Sequence, residues 1–144
     1  MADVIYNGFL QYKNDGTIDL KNDTIKVALF TSSYTPNRDA HDNWGDLSNE
    51  CSGSGYISGG IELQNKVFSH EDTGDLGKFT AAAAAFGTLT VSDIKWAVLY
   101  KDAVAAADRK LIMAKDLSGP FSPAGVPFSV TWHADGILTE QQTA

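Results

Sequence analysis

The stretch SDIKWAVLYKD, residues 92–102, alternates with a period of two: Ile94, Trp96, Val98 and Tyr100 fall on one face, and Lys95, Ala97, Leu99 and Lys101 on the other. Successive side chains of an extended strand point to opposite faces, so this pattern predicts a strand, and we place it centrally in a sheet. Upstream, Ile25, Val27 and Leu29 alternate with Lys26 and Ala28, and Phe30 continues the run. Residues 24–31 therefore read as a half-buried strand, with turn chemistry following at SSYTPN. Downstream, RKLIMAKDL (109–117) and VPFSVTWHA (126–134) read as two more strands, the second with Phe128, Val130 and Trp132 on one face. Between Gly55 and Ser69 the pattern fits two short strands, or one bent at the paired Gly59 and Gly60, where a bulge or tight corner is expected.

Two other segments differ in period. Ile5, Phe9 and Tyr12 lie at spacings of four and three, one face of a short helix that should stop before Gly16 and serve as a lid or arm. The run TAAAAAFG (80–87) fits a short helix or a closely packed strand. DAHDNWGDLSNE (39–50) has no clean period and suits a short helix or an ordered loop anchored by Trp44 and Leu47. Short strands separated by Gly, Asp and Pro turns describe a mainly β fold: a single-domain β-sandwich or barrel-like fold over residues 1–144, with long loops and a short N-terminal helix or arm over about the first 16 residues. Neither an internal repeat nor a Pro- or Ser-rich linker divides the chain.

The 144 residues are 43% hydrophobic and 20% charged, enough apolar material for a sizeable core. Eleven bases against eighteen acids give a net charge of −7, which disfavours binding to phosphate backbones, so no nucleic-acid partner is expected. The acidic excess lies in residues 1–75, mostly in loop-like runs such as KNDGTIDLKNDT and HEDTGDLG. Solvated loops are the simpler account of it; a cation site or a basic partner face is the other. The one long apolar stretch, residues 79–91, is too short and too rich in Ala for a membrane span, and the N-terminus lacks a basic region followed by an apolar block. No membrane partner and synthesis in the cytoplasm are the expectations. Cys51, the single cysteine, excludes an internal disulfide and any multi-cysteine metal site.

Motifs for hydrolases, nucleotide binding and zinc proteases are missing: there is no G-x-S-x-G, P-loop, G-x-G-x-x-G or H-E-x-x-H. His41, His70 and His133 are dispersed; DAHD around His41 offers mixed ligands but reads better as a surface loop. Asp15, Asp19 and Asp23 lack the spacing and closing Glu of a calcium loop. Cys51 with His70 or His133 lacks a visible orienting residue or oxyanion loop, so a packed or idle thiol is the simpler reading. No metal, no cofactor and no catalysis are expected. Trp96 and Trp132 lie on alternating strand faces and read as core, which leaves Trp44 for a surface contact.

The segment TIKVALFTSSYTP (24–36), AHDNW (40–44), the pairs Gly55–Tyr56 and Gly59–Gly60, KWAVLYKD (95–102) and VTWHADGIL (130–138) together resemble small structural proteins encoded among bacteriophage morphogenesis genes. The resemblance covers most of the chain; the poly-alanine run and DAVAAADRK (102–110) depart from it. It implies a virion component on the capsid surface, a decoration or cement protein that binds the outer face of the shell and stabilises it through protein–protein contacts. Its partners would be the major capsid protein and neighbouring copies of itself, a homo-oligomer with a trimer favoured by the habit of that class. A tail, head-to-tail joint or fibre-base protein, or a carbohydrate-binding β-sandwich, are the alternatives. The residues assigned to contacts are Ile5, Tyr6, Phe9 and Tyr12 of the apolar arm, with Leu10 beside them, the loop aromatics Tyr34 and Trp44, and Phe121 in the Pro-bounded loop SGPFSPAGVP (118–127).

Overall fold

The computed structural model describes residues 3–141 and there contains one α-helix and two single-turn 3-10 helices among many strands: β1 (Val4–Ile5), α1 (Asn7–Asp15), β2 (Ile25–Thr31), β3 (Gly53–Ser54), β4 (Ile61–Glu62), β5 (Val67–Glu71), β6 (Leu76–Thr80), β7 (Ala84–Val91), β8 (Ile94–Lys101), β9 (Leu111–Phe121), β10 (Ala124–Val130) and β11 (Leu138–Gln141). They build three antiparallel sheets, ordered β1-β9-β8-β2-β4, β10-β7-β3 and β11-β6-β5, and the chain is a mainly β, sandwich-like domain. Strand β8 is the central strand of the five-stranded sheet, paired with β2 (Val27 opposite Leu99) and β9 (Val98 opposite Ala114).

One face of this sheet presents Ile25, Val27, Leu29, Ala97 and Leu99. They share an apolar cluster with Phe86, Leu89 and Val91 of β7, Phe79 of β6 and Val130 of β10, so the smaller sheets form the other layer. The opposite face carries Ala28, Phe30, Trp96, Val98 and Tyr100, covered by Tyr6, Tyr34, Trp44 and Leu47. Strand β2 is thus buried on both faces along most of its length, where the alternation predicts one wet face. The cause is the segment between β2 and β3, which folds back over the sheet. Asn43 and Asp46 tie its one-turn 3-10 helix (Trp44–Asp46) into a reciprocal cap, which places the Trp44 ring 4.7 Å from Tyr100 and 5.8 Å from Phe30.

The N-terminal segment is neither lid nor arm. β1 pairs with β9 through Val4–Ala114 and Ile5–Met113, and Tyr6 and Phe9 are buried. Helix α1 ends where Gly16 turns left-handed at φ 85°, as the glycine predicts. The helix is pinned by Asp42, which accepts from the Tyr12 hydroxyl at 2.9 Å and from Lys110 Nζ at 3.0 Å. The poly-alanine run continues into a strand, with Ala84, Phe86, Leu89 and Val91 pointing inward.

A second buttress is built on Glu50. Its carboxylate accepts from the Tyr56 hydroxyl at 2.8 Å, the Ser58 hydroxyl at 2.7 Å and the Gly59 N–H at 2.7 Å, while Tyr100 donates to the Gly59 carbonyl at 2.6 Å. The expected corner at Gly59–Gly60 is real, and Gly60, at φ 78°, lies so close to the Val27 carbonyl that no side chain fits. Cys51 is buried beside this corner; burial first, then the neighbouring Asp93 and Glu50 carboxylates, push its thiol up to about 12.

Candidate functional site

Cys51 is buried, and each of the three histidines has a polar neighbour close to it in sequence. The buried Cys51 thiol is held protonated, the reverse of what a thiolate nucleophile requires. His41 Nδ1 accepts from the Tyr34 hydroxyl and the Asn37 N–H, His70 lies 3.6 Å from Asp72, and His133 lies 3.3 Å from Asp135. Among the described residues no group of three or more His, Cys, Asp or Glu side chains is arranged to hold a metal ion, and no helix is long and apolar enough to cross a membrane. In the acidic loop after α1, Asp19 accepts from the Asn22 side chain at 2.7 Å, and this bond first, with the Asn22 N–H, holds its carboxyl below the ordinary range.

Exposed apolar side chains include Ile57 and Val104, which lie in loops, and two places gather more than one of them. The first is a groove between α1 and the β11-β6-β5 sheet. Phe9, Leu20, Phe79 and Leu138 form its floor, and Leu10, 49% exposed, and Phe68, 42% exposed, form its rim around a cavity of about 390 Å³. Phe68 stacks on Phe79 with centroids 4.9 Å apart and planes 12° from parallel. Lys13 bridges from the helix to Glu140 of β11, and Lys78 pairs with Glu71 at 2.6 Å, so charged groups flank the apolar floor.

The second place is the tip where β9 passes into β10. Phe121 is 45% exposed and Val126 nearly the same. Phe121 sits 6.3 Å from Phe128, which in turn contacts Phe86, so an aromatic row runs from the core to the surface. At its foot Asp116 pairs with Lys95 at 3.0 Å and accepts from the Ser118 N–H at 2.9 Å. Burial acts to raise the Asp116 carboxyl, and the Ser118 N–H and Lys95 outweigh it, holding the group below the usual carboxylate range.

The contact residues chosen from sequence divide accordingly. Ile5 and Phe121 are exposed, and Ile5 lines the groove together with Leu10. Tyr6, Phe9 and Tyr34 are corrected: each is 3% exposed or less and packs inside the chain, Tyr6 and Tyr34 on the face of the sheet that the loop after β2 covers, and Phe9 in the cluster between the layers. Tyr12 and Trp44 are half-buried, the first held by Asp42, the second wedged between Tyr100, Phe30 and the Arg109 guanidinium. Trp96 is buried, and Trp132 is half-buried with its indole N–H donating to the Ala82 carbonyl at 2.9 Å. Sequence reasoning missed Phe68 and Val67; the alternation of Phe68 with the polar Ser69 was the available signal. Comparison with protein-family models, with curated proteins and with solved structures gave no match.

Proposed function

We propose that this protein is a bacteriophage virion component that decorates the outer face of a capsid shell and stabilises it by burying surface against the shell protein and neighbouring copies. The observation that carries the proposal is the pair of apolar surfaces, the Leu10–Phe68 groove and the Phe121–Val126 tip, each of which gathers more than one exposed apolar side chain. Exposed aromatic and aliphatic side chains rimmed by charge are the usual composition of a contact surface. A specific interface needs roughly 800 Å² per partner, and many copies held on a lattice reinforce one another through effective concentration. The resemblance of the TIKVALFTSSYTP, AHDNW and VTWHADGIL segments to phage morphogenesis proteins points the same way. No catalytic step belongs to this proposal.

The test is co-sedimentation of the purified protein with assembled, undecorated capsids at graded stoichiometry. Saturation near the number of local symmetry sites is the expected outcome. No binding, or a plateau at about a dozen copies or fewer, would replace shell decoration with a place in the tail or the head-to-tail joint.

A further inference from the structure

We infer that the free edge of β5 is a self-association site, at which β5 of a second copy pairs with it antiparallel about a twofold axis through Ser69. The strand Val67–Glu71 is paired on one side only, with β6, and its five side chains are all exposed. Among the described residues no backbone hydrogen bond from outside this hairpin reaches it. Such an edge is a template for another extended strand, and proteins usually block it with a short strand, a proline or a bulge. Most of the other edges are blocked in these ways: β1, β3 and β4 have two residues each, and β10 carries Pro127, Gly125 and two register irregularities, while β11, the opposite edge of the same sheet, has four residues and is the shorter of the two open edges. Strand β5 has none of these.

The occupant follows from the sequence of the edge itself. Antiparallel pairing of two identical strands requires a residue at the axis, and Ser69 is the centre that matches all of Val67–Glu71 with itself. In that register Phe68 faces His70 of the copy, Val67 faces the aliphatic stem of Glu71, and Lys66 faces Asp72. Charges and aromatics are therefore self-complementary, and the small Ser69 meets only its own counterpart. The Lys66 ammonium donates to the Leu20 and Asp23 carbonyls, each at 2.6 Å, so Lys66 is anchored to its own chain and the pairing of the strands themselves carries the contact. Phe68 and Val67, both exposed on the single chain, would lose solvent on opposite faces of the joined six-stranded sheet. A contact of this length is weak in solution and gains from a lattice. It specifies one of the self-contacts in the decoration reading, and being twofold it adds to a threefold assembly without building one.

Cross-linking of the free protein tests this. Residues opposite one another at the axis have Cα atoms about 4.5–5.5 Å apart, within disulfide range. With oxidised glutathione as oxidant, Ser69→Cys should form a covalent dimer at least tenfold faster than Ser48→Cys, an exposed loop control; the buried Cys51 contributes no thiol to either. Equal rates for the two variants would overturn the inference. Ser69→Glu supplies the second measurement: it faces Lys78 within its own hairpin, which favours the monomer fold, but sets two carboxylates against each other at the axis. Sedimentation equilibrium from about 10 µM to about 1 mM should show the mass of the wild type rising towards the dimer and that of Ser69→Glu remaining monomeric. Unchanged association of Ser69→Glu would also overturn the site. Capsid co-sedimentation is scored separately, so shell binding without β5 cross-linking rejects this contact alone, and β5 dimers without shell binding reject decoration alone.

Discussion

The Tyr6 hydroxyl lies 2.6 Å from the Tyr34 hydroxyl, and the two rings are buried together under the loop that follows β2. His41 Nδ1 accepts from the Asn37 N–H at 3.2 Å, so Tyr34 must donate to it at 3.0 Å, and Tyr6 in turn donates to Tyr34. The residue preceding α1, the β2 loop and the DAHD turn are thus joined by hydrogen bonds running in one direction. Tyr6→Phe removes only the first donor and should cost about 1 kcal/mol. Tyr34→Phe strands the Tyr6 hydroxyl without an acceptor and should cost about 2–3 kcal/mol. Urea unfolding of the two variants gives this order directly.

Alkaline titration reads the same burial. Desolvation first raises Tyr6, Tyr34, Tyr56 and Tyr100 above the ordinary phenol value, Tyr34 to about 12, and the hydrogen bond to Asp42 first raises Tyr12. Because the folded state keeps these protons after the unfolded chain has lost them, the stability they contribute is complete below about pH 10 and falls as pH rises through their folded values. The phenolate absorbance of the native protein should therefore stay low past pH 10 and then rise together with unfolding. A full tyrosine signal at pH 10.5 with native circular dichroism would contradict the buried arrangement.

Phe9 and Leu10 are neighbours with opposite roles. Phe9→Ala empties a core position and should cost about 3–5 kcal/mol, whereas Leu10→Ala, on the groove rim, should change stability by less than about 0.5 kcal/mol. If the groove is a central contact, Leu10→Ala should weaken capsid co-sedimentation by about tenfold or more. Thermal melts and sedimentation of the pair separate core from surface.

Gly60→Ala introduces a methyl group against the Val27 carbonyl at a left-handed backbone position. The β2–β4 crossing has no room to yield, so a loss of about 2–4 kcal/mol is expected, by strain and overpacking together. Gly16→Ala is the matched control: its φ is also positive, but nothing lies within 4 Å, so only the conformational cost of about 1 kcal/mol remains.

The strands that could be read from sequence are those whose alternation is strong enough to stand alone: β8, β2, β9 and β10. The helix stop at Gly16 and the corner at Gly59–Gly60 were equally legible, because each depends on a local backbone requirement. Strands β6 and β11 were not, since LGKFT and LTEQ carry too few apolar residues to show a period. The surface was harder to read than the core. Tyr6, Phe9 and Tyr34 have the composition of contact aromatics, yet a folded-back loop with no period of its own buries Tyr6 and Tyr34, and which of two similar rings ends up inside is decided by tertiary closure. Phe68 went unnoticed for the converse reason: its strand is exposed throughout, and an isolated alternating aromatic looks the same in sequence whether its partner is its own chain or another.

Cys51 gives the molecule an internal clock. The residue is 3% exposed, packed in the cluster between the sheets next to Glu50, and its thiol is held protonated. A thiol reagent can reach it only when the layers part, and among 144 residues no second cysteine competes for the label. Its modification rate therefore counts openings of the sandwich, and comparing that rate for the free protein and the protein on a shell would measure how far attachment slows those openings.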